Sequence, residues 1–210
     1  MARSSFADPG NRAIVRERDL RVRRMLDRHG FLPLGNHHVL EIGGGHGEVL
    51  GGLVALGASP TQLHGVDLSP DHVAEARRRR PAIDWRCGNA EALDWPDASF
   101  ALVFCFTVFS SILDPAMARN VAREMRRVLA PGGAIVWYDL RGPNPWNRDV
   151  RPVRRADLRA LFPDLAPALA STTLVPALAR RVTRDSEDAY RLLAAVPLLR
   201  THWVGLLRAD

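Results

Sequence analysis

Acid, glycine and apolar residues are packed together in the stretch Val39-Leu40-Glu41-Ile42-Gly43-Gly44-Gly45-His46-Gly47-Glu48-Val49-Leu50. It reads as a short strand that delivers an acid, then a turn, then the start of a helix. Gly43, Gly45 and Gly47 can take backbone angles closed to other residues and let a ligand lie against bare main chain. The helix that follows points its free N–H groups and positive dipole end back at the turn. The chemistry this spacing can do is binding, with a polar ligand held by peptide N–H groups.

Glycine turns after strands serve dinucleotides, triphosphates and S-adenosylmethionine. A dinucleotide turn wants G-x-G-x-x-G, and counted from Gly43 the third position falls on Glu48. A triphosphate loop needs a lysine beside Ser or Thr, and the chain has no lysine. Glu41 would repel a pyrophosphate but suits an ammonium group beside a cationic sulfur, which is the polar end of S-adenosylmethionine. Asp67 ends the next strand one βα unit on, where an acid can accept both hydroxyls of a ribose. Glu41-x-Gly43-x-Gly45-x-Gly47 resembles the first motif of the Rossmann-like (class I) S-adenosylmethionine-dependent methyltransferases. The resemblance covers roughly residues 35–210, with its motifs in the first half and, in the second, the Pro131-Gly132-Gly133 turn and the order of elements.

That resemblance implies a cofactor set of Glu41, Gly43, Gly44, Gly45, Gly47 and Asp67. Leu68 and Ala90 would meet the adenine. The family commonly shows Gly-Asp-Ala after the third strand, and here the chain reads Gly88-Asn89-Ala90. The Asn89 carbonyl can still accept from the adenine amino group, with less charge assistance. Phe106, at the end of the fourth strand, could face the sulfonium through its π system. Where the acceptor is a hydroxyl a base helps, and Asp139 and Tyr138 at the end of the fifth strand are the candidates, with His202 a further one.

Other chemistries lack their residues. Amino-methylating nucleic-acid enzymes show Asn or Asp, then Pro-Pro and an aromatic, after the fourth strand, where this chain reads Phe106-Thr107-Val108-Phe109. Cys105 lies within an apolar strand, unlike an exposed nucleophilic thiolate. Metal-dependent catechol-type enzymes place acids at the end of the fourth strand, and none occurs before Asp114. A metal-free enzyme that methylates an O or N atom of a small molecule, a specialised metabolite or sugar-containing compound, is the expected function. An RNA methyltransferase and a non-catalytic S-adenosylmethionine-binding protein are the alternatives.

The elements that must position these residues follow from the resemblance and from periodicity. The fold class expected is α/β, a Rossmann-like seven-stranded, mostly parallel sheet with helices on both faces and the last strand antiparallel. Residues 1–34 read as an N-terminal helical segment or lid, helical from about Asn11 to His29. Residues 35–210 read as the methyltransferase domain, with a sixth strand near Ser171 to Val175 and a helical insertion at about 176–195. Gly51 and Gly52 in the first helix after the turn are expected to permit close approach to the sheet. Ser69-Pro70 and Asp114-Pro115 are helix starts, Pro81 and Pro131-Gly132-Gly133 are stops, and the segment 141–147 should wall the acceptor pocket.

The 210 residues suit one domain, and the formal charge of +6 with pI near 10.7 comes from 29 arginines scattered along the chain. Nucleic acid is therefore an unlikely partner, and a small-molecule acceptor the expected one. Two cysteines without CxxC spacing fit a reducing compartment, and no apolar run reaches the ~20 residues of a membrane span. The reading is a soluble cytoplasmic protein, monomer or homodimer.

Overall fold

The computed structural model describes residues 8–35, 37–144, 147–184 and 186–209. Its strands are β1 (Val39–Ile42), β2 (Leu63–Asp67), β3 (Asp84–Cys87), β4 (Phe100–Phe106), β5 (Leu129–Leu140), β6 (Ala166–Leu174) and β7 (Arg200–Arg208). They form one sheet in the order β3-β2-β1-β4-β5-β7-β6. The pairs β1–β2, β1–β4, β2–β3 and β4–β5 are parallel, and β7 runs antiparallel between β5 and β6. The chain first walks outward from β1 to β3 and then returns to β4 on the other side. The tips of β1 and β4 therefore flank a switch point, where a crevice opens in sheets of this kind.

The helices are α1 (Pro9–Arg28), α2 (Glu48–Val54), α3 (Pro70–Arg79), α4 (Pro115–Val128), α5 (Arg155–Leu161), α6 (Pro176–Val182) and α7 (Glu187–Ala194). Short polar side chains start four of them, Ser186 capping α7 and the other three lying next to prolines. Asp8 accepts from the Gly10 and Asn11 N–H groups, Ser69 from His72, and Asp114 from Ala116, each beside a proline at the first helical position. On one sheet face Val22, Leu26, Leu50, Val73 and Ala76 of α1–α3 pack on Phe104, Phe106, Trp85 and Tyr138. On the other, Val121, Met125 and Leu158 of α4 and α5 pack on Leu40, Ile42, Val103 and Trp137. Each interior is closed by apolar side chains alternating along the central strands.

Three expectations about elements are corrected. Pro131-Gly132-Gly133 does not separate a helix from a strand: α4 stops at Val128 and β5 begins at Leu129. Leu129 pairs with Phe100, the register shifts, and pairing resumes at Ala134 opposite Leu102. The turn residues are thus a bulge inside β5, where Gly132 has φ +75° and a Cβ on Gly133 would stand 2.7 Å from the Ala101 carbonyl oxygen. Gly51 makes room not for the sheet but for Arg80, whose guanidinium occupies the place of its missing side chain, and Gly52 faces open space. The sixth strand begins at Ala166 and not near Ser171, because β7 pairs with it along its whole length. The insertion at 176–195 consists of α6 and α7. In the segment 141–147, Pro145 and Trp146 lie outside the described residues.

Candidate active site

Gly43, Gly45 and Gly47 adopt φ of +71°, +51° and +82°, the left-handed region that costs other residues strain. The Val66 carbonyl takes the Gly43 and Gly44 N–H groups at 2.8 and 3.0 Å. Asp67 takes the next one: its Oδ2 accepts from the Gly45 N–H at 2.8 Å, while Oδ1 accepts from the Ser69 N–H at 2.9 Å. His72 Nδ1 stands 3.2 Å from Asp67 Oδ1, and the His46 ring lies 4.6 Å from that of His72. β2 and the glycine turn are therefore held as one unit.

The turn is supported from beneath by one ring. Trp85 of β3 is buried and lies across Gly65, Gly44 and Gly47, where added Cβ atoms would meet it at 2.2, 2.8 and 2.7 Å. Its indole N–H donates to the Arg80 carbonyl at 3.2 Å. Across the crevice, Val108 stands 2.6 Å from the position of a Cβ on Gly43. The preceding Thr107 has φ +56°, an unfavourable conformation for a β-branched residue and one that concentrates at functional sites.

Glu41 is 2% exposed, and its Oε2 has no hydrogen-bond partner among the described residues. Burial pushes its carboxyl up to about 8, opposed by the Leu50 backbone N–H and by Arg18. A buried acid with an orphaned oxygen beside a glycine cradle fits a ligand that brings an ammonium group. Past the ends of β2 and β3, Leu68 is 66% exposed and Ala90 half-buried. The Asn89 carbonyl accepts from the Glu91 N–H at 3.0 Å and its amide donates to the Glu91 carboxylate at 3.1 Å. One lone pair of that carbonyl remains for a further donor.

Phe106, Tyr138 and His202 form an aromatic floor at the ends of β4 and β5. Phe106 and Tyr138 lie 5.5 Å apart, and Tyr138 stacks on His202 at 4.7 Å and 5°. Arg18 of α1 covers this floor, 5.1 Å from the Phe106 centroid and 5.6 Å from that of Tyr138. Burial pushes the Tyr138 phenol up to about 12, and its oxygen pairs with Thr173 Oγ1 at 2.8 Å. Burial and then Arg18 hold His202 down at about 4, leaving it a neutral ring at neutral pH.

Asp139 is placed differently from an acceptor-facing base. Neighbouring strand residues point to opposite faces, so Asp139 and Tyr138 do not converge. The Asp139 carboxyl is fully buried, accepting from the Leu140 N–H at 2.7 Å and the Ser110 N–H at 3.1 Å. Burial pushes it up, and these donors pull it back. It ties the turn after β4 to the end of β5. The Cys105 thiol is buried and pushed well up by burial, the opposite of an activated nucleophile.

The register thus sets Glu41, the glycines, Asp67, Leu68, Asn89 and Ala90 at or just past the carboxyl ends of the neighbouring strands β1, β2 and β3, and Phe106 ends β4. His72, Trp85 and Arg18 escaped sequence reasoning. Arg18 carried a readable signal, since it continues the apolar stripe of Ile14, Val22 and Leu26 at helical spacing and so faces inward.

Residues 39–133 match a family model described as a methyltransferase domain. The malonyl-[acyl-carrier protein] O-methyltransferase of Halorhodospira halophila is 32% identical over 182 residues, covering 77% of this chain and 60% of that protein. The phthiotriol/phenolphthiotriol dimycocerosates methyltransferase of Mycobacterium tuberculosis is 35% identical over 139 residues, covering 62% of this chain and 49% of that one. The chain spans about half to three-fifths of the length of these curated relatives. A TehB-like SAM-dependent methyltransferase from Corynebacterium glutamicum has the same fold, with TM-score 0.61, 17% identity and coverage of 90% of this chain and 87% of that one. No helix among the described residues is long and apolar enough to cross a membrane. The matched segment runs from β1 and the glycine turn through β4 into β5, and residues 39–133 thus form a methyltransferase domain of the Rossmann-like (class I) S-adenosylmethionine-dependent type.

Proposed function

We propose that the protein transfers a methyl group from S-adenosylmethionine to an O or N atom of a small-molecule acceptor. The observation that carries this reading is Glu41: a buried carboxyl with an orphaned oxygen, beside a glycine turn in which Gly45 faces open space. A pyrophosphate would be repelled there, whereas an ammonium group supplies the missing partner and the missing charge.

When bound, S-adenosylmethionine supplies a methyl group on a positively charged sulfur. The chain's own residues hold and orient. Glu41 takes the amino group, Asp67 uses the remaining capacity of its Oδ2 for the ribose, Leu68 and Ala90 cover the base, and Asn89 accepts from its amino group. Phe106 lies on the acceptor side, with α1 as a cover that excludes water. Asp139 acts as a positioning residue that fixes the turn after β4, and much of the rate then comes from proximity and a dry pocket.

Isothermal titration with S-adenosylmethionine and with NAD tests the reading. Binding of the first in the micromolar range, with none of the second, supports it. The reverse result, or binding of neither, discards it.

A further inference from the structure

α1, α7 and the start of β7 line an open cleft of about 650 Å³, within the range of small-molecule pockets. Its apolar lining comes from Ala13, Leu20, Ala194 and the ring of Tyr190. Its charge is one-sided: Arg12, Arg16, Arg21, Arg191 and Arg200 stand against Glu17 and Glu187. Glu17 is used internally, accepting from Tyr190 Oη at 2.7 Å, Thr172 Oγ1 at 3.0 Å and Arg21 Nε at 3.0 Å. Glu187 is shared between Arg16 at 3.7 Å and Arg191 at 3.9 Å, and Arg191 also meets Asp188 at 3.1 Å, all of them well exposed and so weakly held. Arg200 is fixed on neutral partners, its three nitrogens donating to the carbonyls of Ala194 at 2.7 Å, Ser171 at 3.2 Å and Ala195 at 3.3 Å, and to Ser171 Oγ at 3.3 Å. Its charge has no carboxylate against it among the described residues. A guanidinium held in place with its charge unanswered is pre-organised for an oxyanion.

The cleft adjoins the aromatic floor. Glu17 in its wall is the chain neighbour of Arg18, which covers Phe106 and Tyr138. Thr172, bonded to Glu17, is the neighbour of Thr173, bonded to Tyr138. We propose that this cleft holds the methyl acceptor, and that the acceptor is an apolar body carrying an oxyanion, a phosphate monoester or a carboxylate. The assignment as acceptor pocket rests on the methyl-transfer reading above, whereas the anion preference stands on the cleft alone.

The test titrates the protein with phenyl phosphate, benzoate and benzyl alcohol, without cofactor and then with saturating S-adenosylhomocysteine. At least one of the two anions should bind tenfold or more tighter than benzyl alcohol, and the tighter of the two identifies the oxyanion. The double variant Arg16→Gln/Arg191→Gln, at two exposed positions, should weaken that anion about tenfold with an unchanged melting temperature. Equal binding of the alcohol, or unchanged affinity in the double variant, overturns the proposal. Competition between the anion and S-adenosylhomocysteine also overturns it, by placing the anion in the cofactor crevice. Failure of S-adenosylhomocysteine to bind while the anion still binds would sink the methyl-transfer reading and leave the anion site standing.

Discussion

Asp67 grips the Gly45 N–H at 2.8 Å, so the acid assigned to the ribose is also the latch of the glycine turn. Oδ1 is occupied by Ser69 and His72, which leaves Oδ2 the oxygen with spare capacity. The two duties can be separated by substitution. Asp67→Asn keeps an acceptor for Gly45 but loses charge, whereas Asp67→Ala loses both. Cofactor affinity measured by calorimetry should fall about tenfold in the first, at about 1.4 kcal/mol per decade, and at least a hundredfold in the second. Unchanged affinity in Asp67→Asn with loss only in Asp67→Ala would show that the latch, and not the sugar contact, is what Asp67 supplies.

Gly43→Ala combines two penalties. Its φ of +71° is strained for alanine, and its Cβ would stand 2.6 Å from Val108 Cγ2. A left-handed non-glycine residue costs on the order of 1–3 kcal/mol. Thermal melting should show that loss, and Gly43→Ala/Val108→Ala should recover only the steric share. Full recovery in the double variant would mean that the backbone angle is immaterial.

Glu41 makes stability fall as pH rises. In the unfolded chain its carboxyl loses its proton near 4.5, and in the folded one near 8. The folded state therefore keeps a proton that the unfolded state has released, and the contribution, fully present below 4.5, is lost progressively up to about 8. The loss is at most about 1.4 kcal/mol per pH unit across that window. Urea midpoints against pH should slope downward there, and Glu41→Gln should flatten the slope.

The same acid predicts proton release on cofactor binding. An ammonium group beside Glu41 favours the ionised carboxylate, so binding at pH 7 should expel close to one proton. Titrations in phosphate and in Tris would then give different apparent enthalpies. Identical enthalpies in both buffers would exclude Glu41 as the partner of the amino group.

Asp139→Ala should destabilise the fold and not shift the pH–rate profile. It strands the Leu140 and Ser110 N–H groups, at about 1–3 kcal/mol for a buried unsatisfied group. A base would show a lost ionisation in kcat/KM, whereas a positioning residue lowers activity at every pH.

The backbone of the glycine turn was legible in the sequence because local rules govern it. Glycines at Gly43, Gly45 and Gly47, the acid at Asp67 and the Ser69-Pro70 start each announce a backbone state by residue type. Pro131-Gly132-Gly133 misled because the same residues serve a turn or a bulge, and only the pairing of Leu129 with Phe100 decides between them. Asp139 misled for a related reason: position at a strand tip was readable, but the side of the sheet it faces and the N–H groups waiting there were not. The α1–α7 cleft is invisible in sequence, since its arginines come from segments some 180 residues apart that meet only after folding.

Trp85 makes the geometry of the glycine turn a property of a strand two places away. A chimaera carrying only residues 39–50 onto another sheet would export the glycines without the indole they close over. The smallest transplantable part is the whole β1–β3 half, and a recipient lacking that ring would receive a motif with the right letters and a hollow beneath it.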